Sequence, residues 1–368
     1  MGKIGAVPSG IGHGARVTGL NMHRRRADVT RVDDDRPATI EDVARTAGVS
    51  RSAVSKVIRN AYGVSPAMRE RVTTAIDELA YRPRVAARAM RGSSYTLGIE
   101  IPDFSNQFFT RVLRGATDAL GGSDYQLLIA PAEAAKQQGY RALEALVDQQ
   151  VDGVIAVSPL VSQSWLENIA RRTPVVLFGR HHISEKYDTV AGDDELGARD
   201  ALNHLFDLGH DRVLHLTRDG LATAPQRRTP HGVRLQTYLT MMEQTGRGEF
   251  SRVARSGEGE SYAHEVVRDI LLSEEHPTAI FAGHDELALG ALHAIQDLGL
   301  DISVVGYDNV PLAAHPAISL TSVDQQGEAM GARAVELLLE RVRGRTEAVH
   351  ETFTPSLQVR GSTRPAGA

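Results

Sequence analysis

The chain has 368 residues, of which 42% are apolar and 24% are charged, and it contains no cysteine. At about 150 residues per domain this length predicts two or three domains, and the lack of cysteine excludes a disulfide scaffold, a thiolate zinc site and a thiol nucleophile. Because the sequence shows neither a signal-peptide apolar segment nor a run of about 20 apolar residues, we expect a cytoplasmic protein with no membrane partner.

Charge divides the chain into two unequal parts. Residues 1–95 contain 17 Lys and Arg against 9 Asp and Glu, whereas residues 96–368 contain 24 against 37. Such asymmetry predicts that the first segment meets a polyanion and that the second does not. A solvated basic tail is the alternative explanation, and charge alone favours neither.

The first 36 residues are predicted to form a disordered N-terminal extension. They combine a glycine-rich segment at 9–14, an arginine run at 24–26 and an aspartate run at 33–35, without apolar periodicity. The glycines follow no predicted strand and open no predicted helix, so they do not indicate a dinucleotide site.

Residues 37–83 are predicted to form three short helices. Apolar residues recur at helical spacing from Ile40 to Ala47, which indicates one buried face. Thr39 can cap this helix, and Gly48 ends it because glycine permits a tight turn.

A second helix is predicted from residue 51 to about 58 with Ser50 as its cap, and a third begins at Ser65 and Pro66. Two helices joined by a short turn predict a helix-turn-helix unit, whose second helix presents its first residues to base edges in the major groove. A helical hairpin with a solvated basic face is the alternative. The DNA-contacting residues predicted for this unit are Thr39, Ser50, Arg51, Ser52, Ala53, Ser55, Lys56 and Arg59.

From residue 95 onward, short β-rich segments alternate with amphipathic helical patterns. This alternation predicts parallel sheets covered by helices, arranged as two Rossmann-like lobes. Ligands of such folds bind outside the carboxyl ends of the strands, so we expect a binding cleft between the lobes. The predicted strands are 95–101, 125–130, 151–157, 175–178, 213–216, 279–282 and 302–307.

Several motifs follow one another in a distinctive order. They read ATIEDVA at 38–44, AGVS at 47–50, YRP at 81–83, VDGVI at 151–155, DELALGAL at 285–292 and DISVVGYD at 301–308. In this order they resemble the LacI/GalR family of bacterial transcription regulators, over about residues 38–361.

The resemblance implies an α+β multidomain chain. An N-terminal all-α helix-turn-helix headpiece would precede a two-lobed α/β core of the periplasmic-binding-protein type. The expected boundaries are a disordered extension at 1–36, the headpiece at 37–83, a hinge helix or linker at 84–94, a first lobe at 95–191 with 322–347, a second lobe at 192–321 with 348–361, and a tail at 362–368.

The resemblance also implies a sequence-specific transcriptional regulator, most simply a repressor, bound as a homodimer to a pseudo-palindromic double-stranded DNA operator. No leucine heptads follow Arg360, so we expect dimers rather than tetramers. Met90 stands where the family usually has a leucine that wedges into the central base step. The predicted hinge contacts to the minor groove are Arg84, Ala87, Arg88 and Met90.

A small polar effector, sugar-like and bound between the lobes, is a further implication, and its binding is expected to release the operator. Phe108 could instead be a core residue, Arg180 an ordinary ion-pair partner, and one of two neighbouring aspartates a helix cap. The predicted effector-contacting residues are Asn106, Phe108, Arg180, Asp193, Asp194, Arg228, His231 and Asp285.

The register of residues 226–234 stays open. The family commonly places a ligand-gripping arginine in this segment. Counted from the residues that follow, His231 occupies that position. Counted from the nearest glycine, Arg228 or Thr229 occupies it.

The sequence offers no catalytic constellation. His264 and Glu265 lack the second histidine of a metalloprotease helix, since Arg268 stands there. Neither a nucleophile elbow nor a Walker A loop occurs, so we expect no enzymatic activity, no cofactor and no metal site. Two rival functions are a solute-binding receptor, which would need a signal peptide and no headpiece, and an architectural DNA binder whose core has lost its ligand.

Overall fold

The computed structural model describes residues 36–58, 61–81, 93–132, 139–218, 220–273 and 276–367. The chain separates into two compact units, Met1–Pro83 and Arg84–Ala368. Within the described residues, no helix is both long and apolar enough to cross a membrane.

The described residues of the first unit form three helices: α1 (Ile40–Ala47), α2 (Arg51–Ile58) and α3 (Pro66–Glu78). Val43, Val54 and Val72 are fully buried where these helices meet. The three predicted helices are confirmed, and so are their caps. Thr39 and Asp42 form a reciprocal capping box, and the Ser65 side chain accepts a hydrogen bond from the Met68 backbone.

The second unit contains two six-stranded sheets. The first has the order β11-β5-β4-β3-β1-β2, and all its strands are parallel. With strands numbered in chain order, its members are β1 (Thr96–Ile101), β2 (Gln126–Pro131), β3 (Gly153–Val157), β4 (Val175–Phe178), β5 (Asp188–Gly192) and β11 (His350–Phe353).

The second sheet has the order β12-β10-β9-β8-β6-β7. It is parallel except for the pairing of β10 with β12. Its members are β6 (Val213–Arg218), β7 (Arg252–Ser256), β8 (Ala279–Ala282), β9 (Ser303–Tyr307), β10 (Thr321–Asp324) and β12 (Ser356–Gln358). All seven predicted strands are confirmed, and the structure adds β5, β7, β10, β11 and β12.

Helices cover both sheets, as expected for buried parallel strands. They are α4 (Gln107–Ala119), α5 (Tyr140–Asp148), α6 (Gln163–Ala170), α7 (Asp194–Asp207), α8 (Pro230–Gln244), α9 (Glu260–Leu271), α10 (Asp285–Leu298) and α11 (Gly327–Val342). Short 3₁₀ turns occupy Gly220–Thr223, Pro225–Arg227, Gly248–Phe250 and Pro311–Ala314.

Helices α4 and α11 pack against each other at backbone distance. A Cβ added at Gly115 would lie 1.8 Å from the Glu328 carbonyl oxygen, and one added at Gly331 would lie 2.1 Å from the Val112 carbonyl oxygen. Only glycine permits this approach at either position. The contact joins the late helix α11 to the first sheet.

The chain passes between the lobes at points that differ from the expected boundaries. Strand β10 hydrogen-bonds within the second sheet and β11 within the first, so the assignments of 322–347 and 348–361 to single lobes are wrong at their ends. The expected tail also packs on the second sheet, since the Val304 N–H donates to the Ser362 carbonyl oxygen at 2.8 Å. Of the last three strands, β11 and β12 lie at sheet edges and are short and polar, so they carry little apolar pattern, whereas β10 lies inside the second sheet.

Candidate DNA-binding surface and effector cavity

The second helix of the headpiece turns a polar face outward. Val54 and Val57 point into the core, whereas Arg51, Ser52 and Lys56 are exposed. This division follows from the 3.6-residue period of the helix.

The helix start is fixed by a serine cap. The Ser50 Oγ accepts a hydrogen bond from the Ala53 N–H at 3.2 Å and lies 2.8 Å from the Ser52 Oγ. The Arg51 guanidinium lies 2.8 Å from the Glu41 carboxylate, and both side chains are about two-thirds exposed. Because an exposed ion pair contributes little energy, this contact leaves Arg51 available to a polyanion.

A cavity of about 180 Å³ lies between the two sheets of the core. Much of its polar lining comes from residues at or just after the ends of parallel strands of both sheets, where α/β folds place ligands, and the rest comes from the start of α8. Phe108, Phe109 and Phe178 supply an aromatic wall. The polar residues of the lining include Glu100, Asp103, Asn106, Ser158, Arg218, Thr229, His231, Arg234, Glu258, His284, Asp308 and Gln325.

Glu100 on β1 is a buried carboxyl group in this lining. Its Oε2 accepts a hydrogen bond from the Val157 N–H at 2.9 Å, while its Oε1 has no hydrogen-bond partner among the described residues. Burial raises the pKa of Glu100 to about 8, and the Val157 hydrogen bond opposes that rise only in part. The side chain is therefore protonated at neutral pH and can both donate and accept a hydrogen bond.

A chain of charged groups lines the opposite lobe. Arg218 at the end of β6 forms an ion pair with Glu258, and the other Glu258 oxygen lies 2.8 Å from the His284 Nε2. The His284 ring packs edge-to-face on the His231 ring, with centroids 5.2 Å apart. Burial lowers the pKa of both histidines, that of His231 well below its usual value. Both rings are thus neutral at pH 7.

Arg234 lies one turn after His231 on α8 and is almost fully buried. Its guanidinium nitrogens lie 2.7 and 2.8 Å from the Asp194 Oδ1, and its Cζ stacks 3.5 Å from the centre of the Tyr307 ring. The second Asp194 oxygen lies 2.7 Å from the His181 Nε2. Burial alone would raise the pKa of Asp194, but the positive charge of Arg234 lowers it. The Arg234 guanidinium lines the cavity, and its charge is therefore neutralised by Asp194, which lies outside the lining.

Asp308 closes the lining at the end of β9. Burial raises its pKa to about 7, although the charge of Arg234 acts against that rise. Its carboxylate accepts a hydrogen bond from the Gln325 amide, and its backbone has a φ of 109°. Such a φ is uncommon outside glycine and often accompanies functional sites.

Comparison with known proteins identifies the family of this chain. Residues 39–84 match the bacterial regulatory proteins of the lacI family, and residues 202–363 match a periplasmic binding protein-like domain. The catabolite control protein A of Priestia megaterium is 32% identical over 318 residues, which cover 84% of this chain and 93% of that protein. The chain belongs to the LacI family.

Two solved structures extend the comparison. The transcriptional regulator CelR, solved as a cellobiose complex, is 29% identical to this chain, with a TM-score of 0.63. The match covers 89% of this chain and 100% of the CelR chain. The lac repressor dimer bound to operator and the anti-inducer ONPF is 25% identical, with a TM-score of 0.73 and the same coverage. This LacI-family chain is thus a DNA-binding regulator with a periplasmic-binding-protein-like core.

Three of the eight effector residues predicted for this LacI-family member line the cavity: Asn106, Phe108 and His231. Asn106 also caps α4, since its Oδ1 accepts a hydrogen bond from the Phe108 N–H at 2.9 Å. Phe108 is 6% exposed and belongs to the hydrophobic core as well. Phe108 thus lines the cavity and also packs in the core, and its contact with an effector stays a prediction.

Arg180 and Arg228, two of the other five, do not line the cavity. The Arg180 guanidinium donates to the Pro159 and Val161 carbonyl oxygens at 2.7 and 2.9 Å, which fixes a loop that lines the cavity. Arg228 adopts a φ of 45° and does not line the cavity, whereas Thr229 and His231 do. Because both Thr229 and His231 line the cavity, the register of this segment stays a prediction.

The three predicted aspartates also lie outside the lining. Asp193 caps α7 by accepting a hydrogen bond from the Leu196 N–H at 2.9 Å, the alternative role considered for one of the pair. Asp194 supports Arg234. Asp285 is fully buried, and its oxygens accept hydrogen bonds from the Val310 N–H at 2.8 Å and the Ser322 Oγ at 2.7 Å. It holds the segment after β9, and it is not part of the cavity lining.

Five predicted DNA contacts lie outside the described residues: Arg59, Arg84, Ala87, Arg88 and Met90. Conversely, sequence reasoning missed several cavity residues. Glu100 had a usable signal, because it is a lone acid in the apolar strand TLGIEI. Glu258 follows β7, which was not predicted, whereas His284 follows the predicted strand β8 and could have been found from it.

Proposed function

We propose that this chain is a transcriptional repressor that binds a pseudo-palindromic operator as a homodimer, and that a small, neutral, sugar-like effector in the core cavity controls its operator affinity. One observation carries the proposal: a headpiece with a polar, exposed second helix belongs to the same chain as a hydrogen-bonding cavity at the strand ends of two lobes.

The DNA-binding half of the proposal rests on the face of α2. Arg51 and Lys56 supply positive charge, and Arg51 lies in the first turn, where a helix-turn-helix meets base edges. An arginine there forms bidentate hydrogen bonds with the O6 and N7 of guanine. The homodimer is proposed from the similarity to the lac repressor, whose dimer is bound to operator.

The effector half rests on the chemistry of the cavity. Glu100, Glu258, Asp308 and Gln325 offer several donors and acceptors beside an aromatic wall, and such a combination suits the hydroxyls and the apolar face of a sugar. The similar regulator CelR was solved as a cellobiose complex. A cavity of about 180 Å³ favours a small effector in the arrangement of the lobes described here.

Contacts between the lobes provide the means of control. The Arg111 guanidinium on α4 donates to the carbonyl oxygens of Asp308 and Asn309 at 3.0 Å, and it lies 3.1 Å from the Asp324 carboxylate. An effector that contacts both lobes shifts the population toward the arrangement that it binds more tightly. We propose that this shift weakens operator binding, as induction of a repressor requires.

The decisive experiment selects genomic fragments with the purified full chain and then measures fluorescence anisotropy on the enriched site. Neutral sugars, polyols, nucleosides and sugar phosphates are added in turn, after a thermal-shift screen of the same compounds. Lys56→Ala should weaken operator binding, and Glu100→Ala should abolish the response to the effector while operator binding without it persists.

Enrichment of a palindrome of about 16–20 base pairs, with release by one class of neutral sugar, would support the proposal. Binding without sequence preference that falls steeply with salt would overturn the repressor assignment. Sequence-specific binding with no response to any class would overturn the effector and favour a purely architectural role.

A further inference from the structure

Two helices of the second lobe carry metal-ligating side chains on their solvent side. Glu260 and His264 stand one turn apart on α9, and His293 and Asp297 stand one turn apart on α10. Residues at i and i+4 share a helix face. Each helix therefore presents one carboxylate and one imidazole to the other.

Close packing of the helices brings the two pairs together. A Cβ added at Gly290 would lie 2.4 Å from the Glu260 carbonyl oxygen, so α10 approaches α9 at backbone distance. The rings of His264 and His293 have centroids only 4.3 Å apart. This approach is independent of the effector cavity, whose lining contains none of these residues.

The separations within the cluster match those of a coordination shell. One ligand atom from each of His264, His293 and Asp297 lies within 4.8 Å of the other two. The His264 Nε2 lies 2.9 Å from Asp297, and the His293 Nδ1 lies 3.4 Å from Glu260. Zinc bound tetrahedrally at about 2.0–2.2 Å separates its ligands by about 3.4 Å. The His293 Nε2 lies 3.9 Å from Asp297, so one carboxylate and two imidazoles can share one ion, whereas Glu260 contacts the other ring nitrogen of His293.

We propose that His264, His293 and Asp297 form a binding site for a divalent transition-metal ion such as zinc or nickel. Two imidazoles with one carboxylate favour these ions over calcium and magnesium, which prefer all-oxygen shells. The side chains of Glu260, His293 and Asp297 are 54%, 52% and 46% exposed, so an ion enters from solvent without opening the core.

Bound metal would tie α9 to α10. Both helices begin beside the effector cavity, because Glu258 lies two residues before α9 and His284 directly precedes α10. The site is thus a crosslink between two elements that position cavity residues, at a distance from the cavity itself.

Metal binding is tested on the full chain after treatment with EDTA and dialysis. Zinc affinity is measured by competition with a chromophoric chelator, and cobalt is added separately to record the visible absorption of the bound ion. The test variant is His264→Ala with His293→Ala. The matched control is His13→Ala with His23→Ala, which removes the same number of imidazoles from elsewhere in the chain. Asp297→Asn keeps both imidazoles and serves if the double variant fails to fold.

The proposal expects one zinc ion per chain, a tetrahedral cobalt spectrum, and a rise in the melting temperature with zinc. Loss of a residue that only hydrogen-bonds to a metal ligand weakens metal binding by about 10- to 100-fold. Removal of two ligands, both imidazoles, should therefore weaken zinc binding by at least about 100-fold. Asp297→Asn should weaken it by about tenfold or more, and the control should match the wild type. Equal zinc affinity in wild type and test variants, zinc binding lost in the control, or no stoichiometric binding would overturn the proposal.

Discussion

Replacement of Glu100 by glutamine should make the core more stable at neutral pH, although it removes a buried acid. The folded-state pKa of Glu100 is raised to about 8 from an ordinary 4.5, with burial as the main cause. Between these two values the unfolded chain releases this proton and the folded chain keeps it. Stability therefore falls as pH rises through this window and levels off above about 8.

The size of the effect follows from the linkage relation. Each pKa unit corresponds to about 1.4 kcal/mol, and pH 7 lies about 2.5 units above the ordinary value. Glu100 therefore costs the wild type about 3 kcal/mol of unfolding free energy at pH 7, and about 1 kcal/mol at pH 5. The free-energy difference between Glu100→Gln and wild type should grow by about 2 to 3 kcal/mol from pH 5 to pH 7.

Urea unfolding at several pH values measures this difference at fixed protein concentration, because oligomers make stability depend on concentration. Any constant contribution of the amide cancels in the change with pH. Glu195→Gln is the matched control, since the Glu195 side chain is 61% exposed and keeps its contact with water. Parallel stability curves for wild type and Glu100→Gln, or a difference that shrinks as pH rises, would refute the argument that Glu100 is folded in its protonated form.

Three further outcomes test other parts of the structure. Arg51→Ala should cost about 1–3 kcal/mol of operator binding and relax discrimination at one base pair, and equal losses on all sequences in anisotropy titrations would assign Arg51 to phosphate instead. Gly115→Ala should destabilise the core by about 3 kcal/mol or more, because its Cβ would lie 1.8 Å from the Glu328 carbonyl oxygen, and unchanged urea unfolding would contradict that packing. Arg111→Met removes three contacts between the lobes and should weaken effector binding by about tenfold, whereas unaltered calorimetric affinity would show that these contacts do not set the lobe equilibrium.

Local chemistry made the headpiece predictable. The capping box of Thr39, the glycine turn at Gly48 and the serine–proline pair at Ser65 each act within a few residues of sequence. Apolar runs likewise predicted the central strands of both sheets. The edge strands β11 and β12 escaped because they are short and polar, and their partners lie far away in sequence.

The residues of the cavity could be predicted only in part, because the role of each residue depends on partners that are distant in sequence. Asp285 has the residue type and motif of a ligand-binding aspartate, yet Val310 and Ser322 occupy its oxygens. The metal-ligating cluster was missed for a related reason. His264 lacks a second histidine on its own helix, and the structure supplies His293 from the neighbouring helix. Spacing within one helix cannot reveal such a pair.

Charge pairing around the cavity argues for the class of effector. The two arginines in the lining are each matched by a carboxylate, Arg218 by Glu258 and Arg234 by Asp194. Burial keeps His231 neutral, so it adds no positive charge. A phosphate or carboxylate ligand would then have to displace one of these carboxylates, and removal of one partner from a buried pair such as Arg234–Asp194 costs about 3–5 kcal/mol.

A neutral polyhydroxylated ligand avoids that cost. Its hydroxyl oxygens can accept a hydrogen bond from the protonated Oε1 of Glu100, which has no partner among the described residues, and from other donors already held in place. We therefore expect calorimetry to show tighter binding of a neutral sugar than of its phosphate ester, by at least about 100-fold, a factor of ten for every 1.4 kcal/mol. The reverse order would mean that Arg218 or Arg234 leaves its carboxylate to bind the ligand, and that the effector is an anion.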